Sequence, residues 1–183
     1  MSQHRLVFTQ APERRHLRRT AYTLNWDVEE EYDRDPVTDQ PYELVFVTGD
    51  QRTKISYIED HICEMQYLLF RGRDIQREAA KAAKAFDLLE PADLPAAALP
   101  PATSDRARAT LRVGLCAAYL PTQVVEEVAV AGLHASDPDV RAAAALAIAY
   151  AERFDLAPLL RAAAEREEDP KARRELSRLA ALA

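Results

Sequence analysis

The apolar positions change period near the middle of the chain. From residue 22 to 28 they alternate: Tyr22, Leu24, Trp26 and Val28 fall on one side, Thr23, Asn25 and Asp27 on the other. That is the period of a half-buried strand. "YELVFVT" follows, with Leu44, Val45, Phe46 and Val47 contiguous, which predicts a strand covered on both faces. Gly49-Asp50 predicts a tight turn into "QRTKISYI", where Ile55 and Tyr57 alternate with Lys54 and Ser56. "RLVF" at 5–8 adds an edge strand, and together these segments make a small antiparallel sheet.

"IEDHICEMQYLLFRG" carries both periods. Ile58, Ile62, Met65 and Leu69 match helical spacing with Gly72 as a stop, while "QYLLF" has strand composition. The helical spacing is preferred here for residues 58–71. "DIQREAAKAAKAFDLLE" predicts a helix capped by Asp74, with Ile75, Ala79, Ala82, Ala83 and Phe86 as its buried stripe. Two such helices would pair and stack on whatever helices follow.

Pro91, Pro95, Pro100 and Pro101 interrupt any regular helix, so residues 91–103 read as a Pro/Ala-rich linker between a unit at 1–90 and another at 104–183. In the second unit the spacing is helical throughout. Asp137 and Asp169 are N-caps, each followed by a proline at the first helical position. The first start leads to Val140, Ala144, Ala147, Ile148 and Ala151, the second to Ala172, Leu176, Leu179 and Ala183. Between them a helix runs from Leu156 to Glu167, capped by Asp155 with Pro158 in its first turn. One period earlier, Ala107, Arg108 and Leu111 align with Val140, Arg141 and Ala144. "PTQVVEEVAVAGLHA" then supplies a partner helix, capped by Thr122 and burying Val124, Val125, Val128 and Leu133. Helix pairs recurring at fixed spacing predict a solenoid.

"DPDVRAAAALAIAYAE" resembles the first helix of a HEAT-like repeat, which often opens on Asp-x-x-Val-Arg followed by Ala and Leu positions. The resemblance covers roughly 80 residues. It is closest at Asp137–Ala147, weaker at Asp169–Leu179, and departs at Ser104–Leu115, where the proline is absent. It implies that Arg141, Arg173 and Arg108 bond to neighbouring repeats, so that Asp137, Arg141, Asp169 and Arg173 form a structural ladder. The expected fold is therefore α+β: a small antiparallel sheet with one or two helices, followed by a short HEAT-like α-solenoid.

Charge adds two local features to a chain of net charge −6, a balance that argues against general nucleic-acid binding. "WDVEEEYDRDPVTDQ" gathers Asp27, Glu29, Glu30, Glu31, Asp33, Asp35 and Asp39; it lacks the Gly and terminal Glu of an EF-type calcium loop. It reads as a solvated loop between strands, or as a contact for a basic partner. "APERRHLRRT" gathers Arg14, Arg15, His16, Arg18 and Arg19: a flexible leader, an arm folded onto the acidic loop, or a contact for phosphates or an acidic protein surface.

Chemistry-bearing motifs are sparse. His61 and Cys63 stand two apart with Glu59, Asp60 and Glu64, but no second ligand pair or third catalytic group accompanies them. Cys63 and Cys116 read as two buried reduced thiols. There is no Gly-rich phosphate loop, Walker motif or GxSxG elbow. No apolar run approaches the roughly 18 residues of a membrane span, and the N-terminus lacks a leader's apolar core, so a cytoplasmic protein is expected.

The function these features favour is a non-catalytic protein–protein interaction module, an adaptor or regulatory subunit. No cofactor or metal is expected. The partner contacts would be Arg14, Arg15, Arg18, Arg19, Glu29, Glu30, Glu31, Asp33 and Asp35. Two alternatives stand beside it. Some HEAT-like proteins resemble chromophore lyases or nucleic-acid glycosylases, and Arg14–Arg19 could contact nucleic acid.

Overall fold

The structure, a computed structural model, describes residues 4–38, 40–90, 92, 94–99 and 105–182. Asp39, Pro91, Pro100, Pro101, Ser104 and Ala183, all used in the sequence reading, lie outside those residues. The chain is mixed α+β and divides into two compact units, Met1–Leu89 and Glu90–Ala183.

The first unit is a five-stranded antiparallel sheet of order β1-β5-β4-β3-β2 with two helices. Its strands are β1 (His4–Val7), β2 (Trp26–Tyr32), β3 (Tyr42–Thr48), β4 (Thr53–Asp60) and β5 (Met65–Gly72). Its helices are α1 (Arg14–Thr23) and α2 (Ile75–Ala85). Leu44, Phe46, Ile55, Tyr57, Leu68 and Phe70 line one sheet face and are sealed by Leu17 and Ala21 of α1 and by Ile75, Ala79 and Ala82 of α2. Val45, Ser56, Ile58, Tyr67 and Leu69, on the opposite face, are buried as well. The contiguous apolar run of β3 reflects this two-sided burial.

The structure corrects the sequence reading at three places in this unit. Tyr22 and Leu24 belong to the end of α1 and the turn after it, not to a strand. Leu17, Ala21 and Leu24 lie three and four residues apart, and that helical stripe is what meets the core. Asn25, at φ 62, reverses the backbone so that Trp26 can open β2. Its side chain fills the space a Cβ at Gly49 would need, which makes glycine the residue that fits there. The leader reading is thereby replaced: Arg14–Arg19 are the first turns of a helix docked on the sheet.

Residues 58–71 are a hairpin rather than a helix, so no helix pair forms there. Ile58 faces Tyr67 and Asp60 faces Met65 across the strands. Asp60 accepts from the N–H groups of Ile62 (2.9 Å) and Cys63 (3.2 Å), and Glu64 adopts a left-handed backbone at φ 52. β-branched and aromatic residues buried on a two-sided sheet outweigh the helical spacing, which would have needed Ile62 inside; it is exposed.

The acidic run is an edge strand rather than a loop as far as Tyr32, with a bulge between Val28 and Glu30. Smaller corrections concern helix ends. The side chain of Asp74 makes no capping bond, Thr122 lies inside its helix, Asp155 sits in a 3₁₀ turn, and Ala83 is exposed.

The second unit holds α3 (Leu94–Ala98), α4 (Arg106–Leu115), α5 (Thr122–Leu133), α6 (Pro138–Tyr150), α7 (Ala157–Arg166) and α8 (Pro170–Leu182). Pro95 sits in the first turn of α3, where a missing N–H is tolerated. Leu133, Ile148, Leu160, Leu176 and Leu179 form the core, and alanines bring the helices together. At Gly114 of α4 a Cβ would stand 2.5 Å from the Ala147 Cα of α6, so only glycine permits that crossing. No helix among the described residues is long and apolar enough to cross a membrane.

Candidate functional site

Helix α1 carries four arginines in two pairs, each pair spaced one turn apart. Leu17 and Ala21 turn toward the sheet, and this fixes where the other positions point. Arg14 and Arg18 reach the end of the sheet. Arg14 donates twice to Glu59 of β4, Nε to Oε1 and Nη2 to Oε2, both at 2.7 Å. Its guanidinium carbon lies 3.5 Å from the ring centroid of Tyr42, a cation–π stack. Arg18 pairs with Glu31 of β2 at 2.6 Å, and the Tyr42 hydroxyl donates to the same carboxylate at 2.6 Å. Tyr42 and Glu59 are directly opposed across β3 and β4, so the sheet register brings both arginines to one place.

The electrostatics follow from this pairing. The hydrogen bond from Tyr42, then that from Arg18, holds the Glu31 carboxyl below its usual range. Burial, followed by the Glu31 contact, pushes the Tyr42 phenol up. Burial and the Glu59 charge push Tyr57 up further. Bonding to Glu59 and to Glu31 raises Arg14 and Arg18 respectively, so both stay charged. A cleft of about 480 Å³ opens beside the network, lined by Arg14, Asp33, Arg34, Tyr42, Glu59 and His61 among others. Arg14 and Glu59 neutralise each other at its wall, and Asp33, Arg34, Asp60 and Glu64 also border it.

The second pair points elsewhere. Arg15 and Arg19, with His16, are exposed and line a separate cleft of about 550 Å³ together with Glu13. Arg19 and His16 approach to 3.4 Å. Neither Arg15 nor Arg19 forms an ion pair among the described residues.

The acidic residues disperse along the edge rather than converge. Glu29 pairs with Lys54 at 2.7 Å, and Glu30 accepts from the Tyr32 hydroxyl at 2.5 Å. Asp35 closes its own turn by accepting from Val37 N (2.8 Å) and Thr38 Oγ1 (3.0 Å), while Asp27 and Asp33 are exposed. No three His, Cys, Asp or Glu side chains among the described residues are placed to hold a metal ion. His61 and Cys63 both sit in the β4–β5 turn; Cys63 is buried and His61 borders the cleft.

In the second unit, Asp137 caps α6 by accepting from Asp139 N at 2.9 Å. Arg141 donates to the Ala135 and Ser136 carbonyls at 2.8 and 2.7 Å and doubly to Glu167, at 2.5 and 2.6 Å. Asp169 accepts from Lys171 N and Ala172 N, and Arg173 donates to the Glu167 carbonyl at 2.6 Å. The bonds from Arg141 outweigh burial and hold the Glu167 carboxyl down at about 2.

Two groups escaped the sequence reading. Arg106 bridges segments, donating to Ala98 O (3.0 Å) and Ala131 O (3.1 Å), and the aligned Arg108 pairs with Asp105 at 3.5 Å. The place of Arg106 just after an Asp was the available signal. Glu78 of α2 is fully buried and accepts from the Trp26 indole; a carboxylate inside an alanine stripe gave no sign of that role. No family model, curated protein or solved structure matches the chain.

Proposed function

We propose that the chain is a non-catalytic protein-interaction module, an adaptor or regulatory subunit, whose second unit is a short HEAT-like helical repeat. The observation that supports this reading is the recurrence of one arginine device. Near the starts of α4, α6 and α8, Arg106, Arg141 and Arg173 each donate to carbonyls of the preceding segment: Ala98, then Ala135 and Ser136, then Glu167 and Glu168. Arg106 and Arg141 also reach forward, to Ala131 O and the Glu167 carboxylate. Such rungs lock successive helices, and a surface that is rigid before binding loses little entropy on docking.

The test is co-purification of the tagged full chain from its source cells, with nuclease treatment, followed by size-exclusion chromatography. A stoichiometric protein partner is expected to survive nuclease. It should weaken by at least about tenfold when exposed helix residues are changed, as in Glu127→Arg with Leu159→Asp. A chain that elutes free, or a partner indifferent to every such change, would overturn the reading.

A further inference from the structure

Helix α1 sorts its arginines by what already neutralises them. Arg14 and Arg18 are bound to Glu59 and Glu31. Arg15 and Arg19 have no ion pair among the described residues and stand exposed. At about 100° per residue, Arg15, Arg19 and Tyr22 fall within one narrow stripe, opposite Leu17, Ala21 and Leu24. Tyr22 is 77% exposed, an unusual position for a large aromatic on a docked helix. The outer face of α1 is thus two guanidiniums without an ion pair among the described residues, Arg19 resting against His16, ending on an uncovered phenol.

We propose that this stripe docks an acidic segment of a partner protein, its carboxylates on Arg15 and Arg19 and an apolar side chain against Tyr22. Charge complementarity carries the assignment. Each guanidinium offers a fork of donors that matches a carboxylate, and among the described residues lining the cleft two arginines and His16 stand against Glu13, which leaves the face cationic. Arginine and tyrosine are also the residue types that concentrate binding energy at interfaces. A nucleic acid fits less well. The stripe spans only about 10 Å of helix axis, room for few phosphates. The neighbouring edge strand, with Asp27, Glu29 and Glu30 exposed, would repel a longer polyanion. This surface belongs to the first unit and does not depend on the helical-repeat reading of the second.

The experiment is fluorescence anisotropy of a short labelled peptide, two glutamates spaced to meet Arg15 and Arg19 followed by a leucine for Tyr22, against the full chain at low salt. A single-stranded oligonucleotide and anionic phospholipid vesicles serve as competing probes. Arg15→Gln with Arg19→Gln is compared with Arg161→Gln plus Arg174→Gln, an equal charge change at exposed positions of the second unit. Circular dichroism verifies that each variant is folded. The proposal expects the α1 pair to weaken peptide binding by about tenfold, the control pair to change it by less than about twofold, and Tyr22→Ala to weaken it further. Equal losses from both pairs, no peptide binding, or tighter binding of the oligonucleotide or vesicles through Arg15 and Arg19 would each overturn it. In the co-purification experiment it is the Glu127→Arg and Leu159→Asp comparison that reads the helical surface of the second unit, and the α1 variants leave that surface intact, so either idea can fail alone.

Discussion

The indole N–H of Trp26 donates to a carboxylate oxygen of Glu78 at 2.8 Å, joining the first residue of β2 to the first turn of α2. Glu78 is closed from solvent, yet Lys81 Nζ lies 3.0 Å and Arg77 Nε 2.8 Å from its oxygens. Burial pushes its carboxyl up, but the Trp26, Lys81 and Arg77 bonds together outweigh that and hold it below the usual range. Lys81 and Arg77 are partly exposed and can turn to water, but without Glu78 the buried Trp26 N–H has no acceptor. Glu78→Ala should therefore destabilise the first unit by about 1–3 kcal/mol. Trp26→Phe, which keeps a ring but deletes the donor, should cost about 1–2 kcal/mol. Urea titration checks both; the alanine variant can be read by fluorescence, since Trp26 is the chain's single tryptophan.

The α4–α6 crossing sets a second expectation. With its Cβ forced to 2.5 Å from the Ala147 Cα and 2.6 Å from its carbonyl oxygen, Gly114→Ala must push two backbones apart. The expected loss is about 1–3 kcal/mol despite the better helix propensity of alanine. Thermal unfolding followed at a helical wavelength measures it, and a gain in stability would show that the helices do not approach this closely.

Acid should loosen the second unit through Glu167. Its carboxyl is depressed from the usual 4.5 to about 2 by Arg141. A depressed carboxyl contributes stability that is complete above its unfolded value and is lost as pH falls through the folded one. The contribution should therefore fade between about pH 4.5 and pH 2. Glu167→Gln should remove that part of the pH dependence and cost about 2 kcal/mol at neutral pH. Denaturant midpoints measured across the range for both proteins would settle it.

Cys116 offers a probe of local opening. It is 2% exposed, and burial pushes its thiol up to about 12. Alkylation by iodoacetamide at neutral pH should run more than about a hundredfold slower than for a free cysteine, because almost no thiolate is present and the sulfur is covered. Cys63→Ser isolates the signal; rapid labelling in that variant would mean that the end of α4 opens readily.

The helices of the second unit from α4 on were legible because their capping aspartates, prolines and alanine stripes act within one turn of chain, whereas α3 lies at Leu94–Ala98 inside the stretch read as a linker. The strand at Tyr42–Thr48 was legible for the same reason: four contiguous apolar residues can only be covered from both sides. The failures came where two periods coexisted. Tyr22, Leu24, Trp26 and Val28 alternate by coincidence, and the stripe of Leu17, Ala21 and Leu24 beneath the arginines was the one that reached the core. Ile58, Ile62, Met65 and Leu69 kept helical spacing although Asp60 turns the chain between them. The candidate site was half legible. Its arginines stood out as a cluster, but their division into engaged and unengaged pairs depends on Tyr42 and Glu59, which the sheet register supplies from far along the chain.

The bulge between Val28 and Glu30 has a last consequence. The long outer strand of the sheet would otherwise offer a neighbouring molecule a straight row of open amides to zip onto. With one residue out of step and carboxylates standing on either side of it, a second copy arriving there meets broken spacing and its own negative charge. That edge of the sheet is therefore a poor template for a second sheet to extend.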